Sequence, residues 1–398
     1  MNRLLQINIC ANWGSTGRIV EHIGNAAINN GWESVVYYGD FHNISTSRLI
    51  KAPCRFPFMY EHYFECYYMD REGLASRIPT LHLIRQIKKM KPDIIHLHII
   101  HDHWLNYPML FRFLSKSNIP VVWTFHDIWA ITGHCYTYTL DCDKWKAGCD
   151  YCPLRNKFGP DRSKRNYELK KHFFSSINNI TIVTVSEWLG CLVQQSFLGN
   201  RKIYVIPNGI DTDVFRPSPD CFNSDLFKDK TLILAVAQVW DKGKNLQDYY
   251  LLRELLGSKY VILLVGLTKT QINSLPAGIV GMERTHSQKE LAGIYSRADV
   301  TLSLSASETF GMTIIESMSC GTPVVVYDNT GQRSLVTEDT GMLVPSGDVK
   351  AVKDAILTIT SYPKDHYSQS CRSRVEENYN LNKQYSKYID LYNNILEA

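Results

Sequence analysis

The chain has 398 residues, of which 44% are hydrophobic, 12% aromatic and 21% charged, and its formal net charge is +4. This length predicts two domains, each with its own core, and the composition excludes a disordered chain. So small a net charge does not favour a nucleic-acid-binding protein. The sequence contains no run of the roughly 18 to 20 apolar residues that a membrane span requires.

The cysteines and the start of the chain predict the compartment. Eleven cysteines are present, and Asn2-Arg3 leads directly into a strand-like run, without a secretory signal pattern. Cysteines in a long chain of this kind indicate reduced thiols in a reducing compartment. We therefore expect a cytoplasmic protein.

Short β-rich runs alternate with helical stretches along the whole chain, which predicts an α/β fold with parallel sheets. After the first strand, the turn at residues 12–17 opens a helix that runs to about Asn29. The strands predicted in the first half are Leu4–Ile9, Ser34–Tyr38, Ile94–Leu97, Val121–Thr124 and Thr181–Val185. Five strands are enough for one doubly wound, Rossmann-like domain.

The second half repeats this plan after a boundary at residues 205–211, VIPNGID, where a strand end meets two strong breakers. Its predicted strands are Leu232–Ala237, Tyr260–Val265, Val300–Leu304 and Val324–Tyr327. The last helix, roughly Leu381 to Leu396, has apolar residues at helical spacing and needs a surface to dock against. The predicted divisions are an N-terminal domain at 1–206, a C-terminal domain at 207–380 and a helix at 381–398 that packs on the N-terminal domain.

The stretch 307–323, SETFGMTIIESMSCGTP, predicts a loop and a helix start that can bind a nucleotide. The helix begins near Met312, and Gly311 lets a diphosphate approach its free amide groups. Glu316 lies about one turn into the helix, within reach of ribose hydroxyls, and Glu308 on the loop faces the bound sugar. The loop follows a strand at the carboxyl edge of a parallel sheet, which favours this interpretation over a pair of solvated glutamates.

This stretch resembles the donor-site motif of family 4 of the glycosyltransferases, which are retaining enzymes of the two-domain GT-B fold. The seven residues between Glu308 and Glu316 match the spacing in that motif. Further matches are NGID at 208–211, EL at 290–291 with Tyr295, AD at 298–299 and GMLV at 341–344 with Asp348. They extend over nearly the whole chain.

The resemblance implies two Rossmann-like domains facing each other across a cleft, with the donor on the second domain. It also implies a hexosyltransferase of bacterial surface-polysaccharide biosynthesis, with a nucleotide diphosphate sugar as donor and a saccharide or lipid-linked saccharide as acceptor. The nucleotide is expected to contact Phe310, Gly311 and Met312 as well as Glu316, and no catalytic metal is expected. A lipid-linked acceptor would place the protein at the inner face of the membrane.

In the resembling family, the loop after the first strand of the second domain carries an Arg and, several residues later, a Lys that neutralise the leaving diphosphate. Residues 237–246, AQVWDKGKNL, place Gln238 near the position of the Arg, which is a departure from the family. Lys244 fits the position of the Lys better than Lys242 does. With one cation fewer, we expect Arg18 or a backbone amide to supply part of the stabilisation.

Two further features lie in the first domain. The resemblance assigns His126, at the end of the strand VWTFH, to the family's histidine beside the donor sugar, where an imidazole can hydrogen-bond a hydroxyl or move a proton. Gly14 and Gly17 frame a glycine turn without the full dinucleotide fingerprint, which disfavours NAD. Because this turn faces the cleft in similar enzymes, we place Gly14, Gly17 and Arg18 on the acceptor side.

Histidines also cluster near the third predicted strand, at positions 96, 98, 101 and 103. Alternate residues of a strand point to opposite faces, so only some of these side chains can converge. Their predicted role is structural, or at the acceptor edge of the cleft.

Four cysteines fall within eighteen residues after His126: Cys135, Cys142, Cys149 and Cys152. The last two have the spacing of a metal knuckle, and residues 132–160 contain few aliphatic side chains with which to form a core. We therefore predict a cysteine-rich loop at 132–160 that holds a structural zinc ion through these four residues. His134 is a reserve ligand, and free thiols or one disulfide are the alternative.

Two other functions compete with glycosyl transfer. A nucleotide-sugar epimerase of similar fold would act on the donor without an acceptor. A zinc-containing nucleic-acid-binding protein is suggested by the cysteines and by the basic run from Arg155 to Arg165, and salt-dependent retention of DNA or RNA would identify it.

Overall fold

The computed structural model describes residues 1–53, 64–138, 142–153, 159–218 and 227–398. The chain divides into two compact units. The first contains Met1–Pro207 together with Gln384–Ala398, and the second contains Asn208–Lys383. Within the described ranges, no helix combines the length and apolar character needed to cross a membrane.

The first unit is built on a parallel sheet of seven strands. In chain order they are β1 (Arg3–Asn8), β2 (Glu33–Tyr38), β3 (Arg48–Lys51), β4 (Ile94–Leu97), β5 (Val121–Phe125), β6 (Ile180–Thr184) and β7 (Lys202–Val205). Their order across the sheet is β3-β2-β1-β4-β5-β6-β7. All residues of β4, β5 and β6 are buried, as expected for central parallel strands that are covered on both faces.

Helices cover this sheet. They are α1 (Gly14–Asn29), α2 (Arg77–Met90), α3 (Tyr107–Leu114), α4 (Ser163–Phe174) and α5 (Glu187–Gln194). In α1, the buried residues Ile19, Val20, Ile23 and Ala27 recur at helical spacing, so one face of the helix packs on the sheet. A short π-helical segment, Phe64–Tyr68, precedes α2.

The second unit has a parallel sheet of six strands in the order β10-β9-β8-β11-β12-β13. The strands are β8 (Thr231–Val236), β9 (Tyr260–Val265), β10 (Ile279–Met282), β11 (Val300–Ser303), β12 (Val324–Tyr327) and β13 (Gly341–Val344). The helices are α6 (Leu246–Leu255), α7 (Lys269–Asn273), α8 (Gln288–Arg297), α9 (Met312–Ser319), α10 (Val349–Thr360) and α11 (Asp365–Asn378). A 3-10 turn, Lys242–Lys244, lies between β8 and α6.

Both sheets confirm the predicted α/β fold with two Rossmann-like domains. The strand order reverses between β1 and β4 in the first sheet and between β8 and β11 in the second. Loops that leave neighbouring strands at such a point diverge to opposite faces and open a crevice where ligands bind. We therefore expect a ligand site of the second unit at the loops after β8 and β11.

The last helix, α12 (Leu381–Glu397), packs on the first unit. Its residues Tyr385, Tyr388 and Tyr392 are at most 1% exposed. The hydroxyl of Tyr392 lies 2.6 Å from Nδ1 of His96 on β4, and the hydroxyl of Tyr388 lies 3.2 Å from Oγ1 of Thr124 on β5. These contacts give hydrogen-bond partners to buried polar groups, which would otherwise destabilise the fold.

Candidate functional site

The helix α9 begins directly after Gly311, as the sequence predicts. Gly311 has φ of 112°, in the left-handed region, and a Cβ atom there would lie 3.0 Å from Cδ1 of Ile314. Glycine therefore permits the sharp turn from loop into helix and leaves the first amides of α9 without a side chain over them. Phe310 is buried and packs against Tyr379, with 5.8 Å between the ring centroids, which anchors the loop that precedes α9.

Glu316 lies one turn into α9 and is held by α8. The hydroxyl of Tyr295 donates to Oε2 of Glu316 at 2.9 Å. Burial, and then the Glu316 carboxylate, raise the pKa of Tyr295 well above its usual value, so this hydroxyl stays a donor. Glu316 itself is half-buried, which leaves part of its carboxylate accessible.

Lys244 and Glu308 lie together where the loops after β8 and β11 meet. Nζ of Lys244 donates to Oε1 of Glu308 and lies 3.3 Å from Oγ of Ser305. The Lys244 and Glu308 side chains are 29% and 24% exposed. Lys242, two residues earlier, is exposed.

The backbone joins these two loops. The amide of Ala306 donates to the Gly243 carbonyl at 2.9 Å, and Nδ2 of Asn245 donates to the Leu304 carbonyl at 2.8 Å. Asn245 has φ of 49°, a left-handed conformation that asparagine tolerates, and it ends the 3-10 turn. These bonds place Lys244 at the reversal point of the sheet.

Gln238 is exposed just after β8, where the resembling family has an arginine. An arginine from elsewhere approaches it: Nη2 of Arg284, which follows β10, lies 3.5 Å from the Gln238 carbonyl oxygen. The sequence pattern pointed to Arg18 and gave no sign of Arg284. The reason is that β10 lies two strands from β8, and only the folded sheet brings the carboxyl ends of these strands close together.

In the first unit, His126 follows β5 and belongs to a chain of hydrogen bonds that starts in β1. Nε2 of Gln6 donates to the Val20 carbonyl at 2.9 Å, which fixes the amide so that its oxygen faces His98, at 3.3 Å from Nε2. His98 must therefore carry its proton on Nε2. Its Nδ1, 3.2 Å from Nε2 of His126, is the acceptor, so His126 donates through Nε2.

Burial keeps this chain neutral. It lowers the pKa of His98 well below the usual value, with further lowering by His96 and His126. Burial also lowers the pKa of His126 to about 4, although the neighbouring Asp127 opposes the shift. A neutral His126 protonated on Nε2 carries a lone pair on Nδ1.

His101 behaves in the opposite way. Its Nε2 lies 2.8 Å from Oδ2 of Asp127, and its Nδ1 lies 3.3 Å from Oδ1 of Asp102. Burial lowers the pKa of His101, but the two carboxylates outweigh it and raise the pKa to about 10. The charged imidazolium of His101 thus lies in the same cluster as His96 and His98, whose pKa values burial lowers well below the usual value. His96 and His98 share one strand face, with ring centroids 4.0 Å apart.

The glycine turn after β1 becomes the start of α1. Gly14 has φ of 67°, and a Cβ atom on Gly17 would lie 3.3 Å from the Cys10 carbonyl oxygen. Gly17 therefore lets α1 approach the end of β1 closely. Arg18 is exposed.

The cysteine-rich loop brings its four cysteines around one small cavity: Cys135, Cys142, Cys149 and Cys152. The closest group of possible metal ligands there is a different set, His134 with Cys135 and Cys152, whose ligand atoms lie within 4.8 Å of one another. Residues 139–141 and 154–158 of this loop, with the Arg155 end of the basic run, lie outside the described residues. The structure thus places the expected reserve ligand, His134, beside two of the four predicted cysteines.

Two family models match most of the chain. Residues 16–214 match the model of Glycosyltransferase Family 4, and residues 222–378 match that of Glycosyl transferases group 1. The first match contains β2 to β7 of the first sheet, and the second contains all six strands of the second sheet.

Several named proteins are similar to this chain. A putative colanic acid biosynthesis glycosyl transferase of Escherichia coli K12, WcaC, is 24% identical over 76% of this chain and 77% of its own. The UDP-Gal:alpha-D-GlcNAc-diphosphoundecaprenol alpha-1,3-galactosyltransferase of Escherichia coli is 26% identical over 50% of this chain and 56% of its own. The structure of sucrose-phosphate synthase from Thermosynechococcus elongatus matches with a TM-score of 0.76 and 18% identity, over 100% of both chains.

Proposed function

Because this chain belongs to Glycosyltransferase Family 4 and is a glycosyltransferase of GT-B fold, we propose that it is a retaining hexosyltransferase of polysaccharide biosynthesis. Its donor is a nucleotide diphosphate sugar, and its acceptor is a saccharide or a lipid-linked saccharide. The observation that carries this proposal is the meeting of Lys244, Glu308 and the Gly311 turn at the reversal point of the second sheet.

The donor site is assigned as follows. Glu316, already held by Tyr295, accepts hydrogen bonds from the ribose hydroxyls. The diphosphate lies against the amides of Phe310, Gly311 and Met312, at the positive end of the α9 dipole. Its charge is met by Lys244.

The Lys244–Glu308 ion pair is a ligand-free arrangement that the donor replaces. Both side chains are about a quarter exposed, and pairs of this kind contribute only about 0–1 kcal/mol. A diphosphate carries more charge than one carboxylate, so Lys244 turns to it at little cost. Glu308 is then released to hydrogen-bond the sugar.

Arg284 is proposed as the second cation of the diphosphate site. Gln238 cannot neutralise a leaving group, and the Arg284 guanidinium is the charged group that lies against the Gln238 backbone. Arginine binds phosphate oxygens in pairs, which suits a leaving diphosphate. Arg284 thus joins Arg18 and a backbone amide as a candidate to stabilise the leaving diphosphate.

His126 is proposed to support transfer through its Nδ1 lone pair. The hydrogen bonds from Gln6 through His98 favour the His126 tautomer with its proton on Nε2. The lone pair on Nδ1 of His126 is then the acceptor for a hydrogen bond from a sugar hydroxyl. A pKa of about 4 keeps this ring neutral at physiological pH.

The chemistry we propose is front-face displacement. As the sugar–phosphate bond breaks, negative charge grows on the leaving oxygens, and Lys244, Arg284 and the α9 amides stabilise it. The acceptor hydroxyl oxygen bonds to the anomeric carbon on the face from which the phosphate departs, so the anomeric configuration is retained, and the leaving phosphate accepts the hydroxyl proton. The charge is met by side chains and amides, and no catalytic metal is invoked.

The acceptor is assigned to the first unit, at Gly14, Gly17 and Arg18. Two similar proteins act, by their names, in colanic acid biosynthesis and on a diphosphoundecaprenol-linked sugar. The second name supports a lipid-linked acceptor, and with it a cytoplasmic enzyme working at the inner membrane face.

A thermal-shift screen of nucleoside diphosphates and their sugars tests the donor site. A nucleotide at 100 times its dissociation constant should stabilise the protein by about 2.7 kcal/mol. Glu316→Ala should abolish most of this stabilisation. Absence of stabilisation by every nucleotide at millimolar concentration would refute the proposal.

A further inference from the structure

The two ring nitrogens of His134, in the cysteine-rich loop, are buried without the hydrogen bonds, among the described residues, that buried polar atoms need. Neither ring nitrogen of His134 makes a hydrogen bond within the described part of the chain, although both are buried. Leaving such atoms unsatisfied is costly, and each case calls for an explanation. The thiols of Cys135 and Cys152 lie beside this ring, with all three ligand atoms within 4.8 Å.

Nitrogen and sulfur ligands in a tight group select zinc among the common metals. We propose that the loop holds one structural zinc ion through His134, Cys135, Cys149 and Cys152, and that Asp70 orients the histidine. This inference concerns the stability of the first unit and does not depend on the donor or acceptor proposed above.

Asp70 occupies the place of the carboxylate that commonly supports a zinc-bound histidine. Its Oδ1 lies 3.4 Å from Nδ1 of His134, close enough to accept a hydrogen bond once a metal ion orients the ring, so we assign Nε2 to the metal. Asp70 is itself fixed, because its Oδ2 accepts from the Arg162 amide at 3.0 Å and its carbonyl accepts from Nδ2 of Asn166 at 2.8 Å. A carboxylate so placed sets the histidine tautomer and strengthens the ligand.

Cys149 is a better fourth ligand than Cys142. Cys149 is 8% exposed, and its Sγ accepts a hydrogen bond from the Gly133 amide at 3.2 Å, a contact typical of metal-bound thiolates. Cys142, on the same cavity wall, is less buried than Cys149. Three thiolates on Zn²⁺ leave a net charge of −1, which the buried ammonium of Lys170 can balance, since it acts electrostatically on both Cys135 and Cys149.

The zinc ion would attach the segment after β5 to neighbouring parts of the first unit. Lys170 on α4 donates to the carbonyls of Trp129 and Thr132, at 2.7 and 3.1 Å, on the stretch that links His126 to the cysteines. A zinc ion adds a second attachment, from Asp70 through His134. Because a bound structural metal adds its binding free energy to the folding free energy, its loss should lower the stability of this loop.

Metal content gives a direct test without an activity assay. The full chain, purified under reducing conditions without chelators or an immobilised-metal column, should contain close to one zinc. Cys142→Ser should keep the ion, whereas His134→Ala and Cys152→Ser should lose it. Asp70→Asn should release it to a chelator with about 10- to 100-fold lower affinity.

Cobalt substitution of the wild-type chain keeps the test decisive if a ligand variant fails to fold. The thiolate-to-cobalt charge-transfer band should have the intensity of three thiolates. Zinc-free wild-type protein would overturn the proposal. A four-thiolate spectrum, or zinc lost from Cys142→Ser but kept by His134→Ala, would overturn this ligand set in favour of four cysteines.

Discussion

Replacing Lys244 by alanine should weaken nucleotide binding far more than it weakens the fold. In the ligand-free protein Lys244 pairs with Glu308 at a partly exposed position, so its loss should lower the free energy of unfolding by no more than about 1 kcal/mol. In the complex it would lose a charge-assisted hydrogen bond to phosphate, worth about 1.5–3 kcal/mol. Since each 1.4 kcal/mol is a tenfold change, the dissociation constant should rise about 10- to 100-fold.

Lys242 is the matched control for this experiment. It is exposed on the same turn, and exposed substitutions usually change binding or stability by less than about 0.5 kcal/mol, or about twofold. Isothermal titration with the nucleoside diphosphate that stabilises the wild-type protein most would measure both variants. Equal and small losses for Lys244→Ala and Lys242→Ala would show that the diphosphate lies elsewhere.

Other changes should separate the roles within the donor site. Glu316→Ala should raise the nucleotide dissociation constant about tenfold through lost ribose hydrogen bonds, and an unchanged titration would contradict this role. Glu308→Gln should lower kcat more than it raises the donor KM, and wild-type turnover in a transfer assay would exclude contact with the sugar. Arg284→Ala should weaken nucleotide binding about tenfold with a reduced salt dependence, whereas the exposed Lys289→Ala should not, so matching titrations of the two would remove Arg284 from the site. Transfer should survive EDTA in protein shown to retain its zinc, and activity restored only by added magnesium or manganese would refute metal-free catalysis.

The central strands could be predicted from the sequence because burial dominates them. All nine predicted strands occur, with bounds that differ by at most one residue. The four remaining strands, β3, β7, β10 and β13, are the edges of the two sheets, and only the end of β7 at Val205 was recognised. Each has four residues and is partly exposed, so neither length nor an apolar run marks it.

In the proposed donor site, local geometry was predictable where the residues are close in sequence. Gly311 and Glu316 follow one strand in one βα unit, and their spacing alone fixes their places on α9. Arg284 was not predictable, because it reaches Gln238 from a strand two positions away in the sheet.

The proposed metal site shows the same limit. Spacing suggested four cysteines with His134 in reserve, but only the fold shows that His134 lies beside Cys135 and Cys152 and that Asp70, 64 residues earlier, lies within 3.4 Å of the histidine. Sequence patterns record spacing along the chain, whereas a ligand set depends on which side chains share a cavity.

Sugar transfer to a lipid-linked acceptor tests the central claim most directly. The purified protein would be incubated with a panel of labelled nucleotide diphosphate sugars, with and without an undecaprenyl diphosphate-linked saccharide, and the product analysed by NMR. We expect one donor to be consumed only when the acceptor is present, giving a product with the anomeric configuration of the donor. Conversion of the donor sugar to an isomer without acceptor would indicate an epimerase, and a product of inverted configuration would contradict the retaining mechanism.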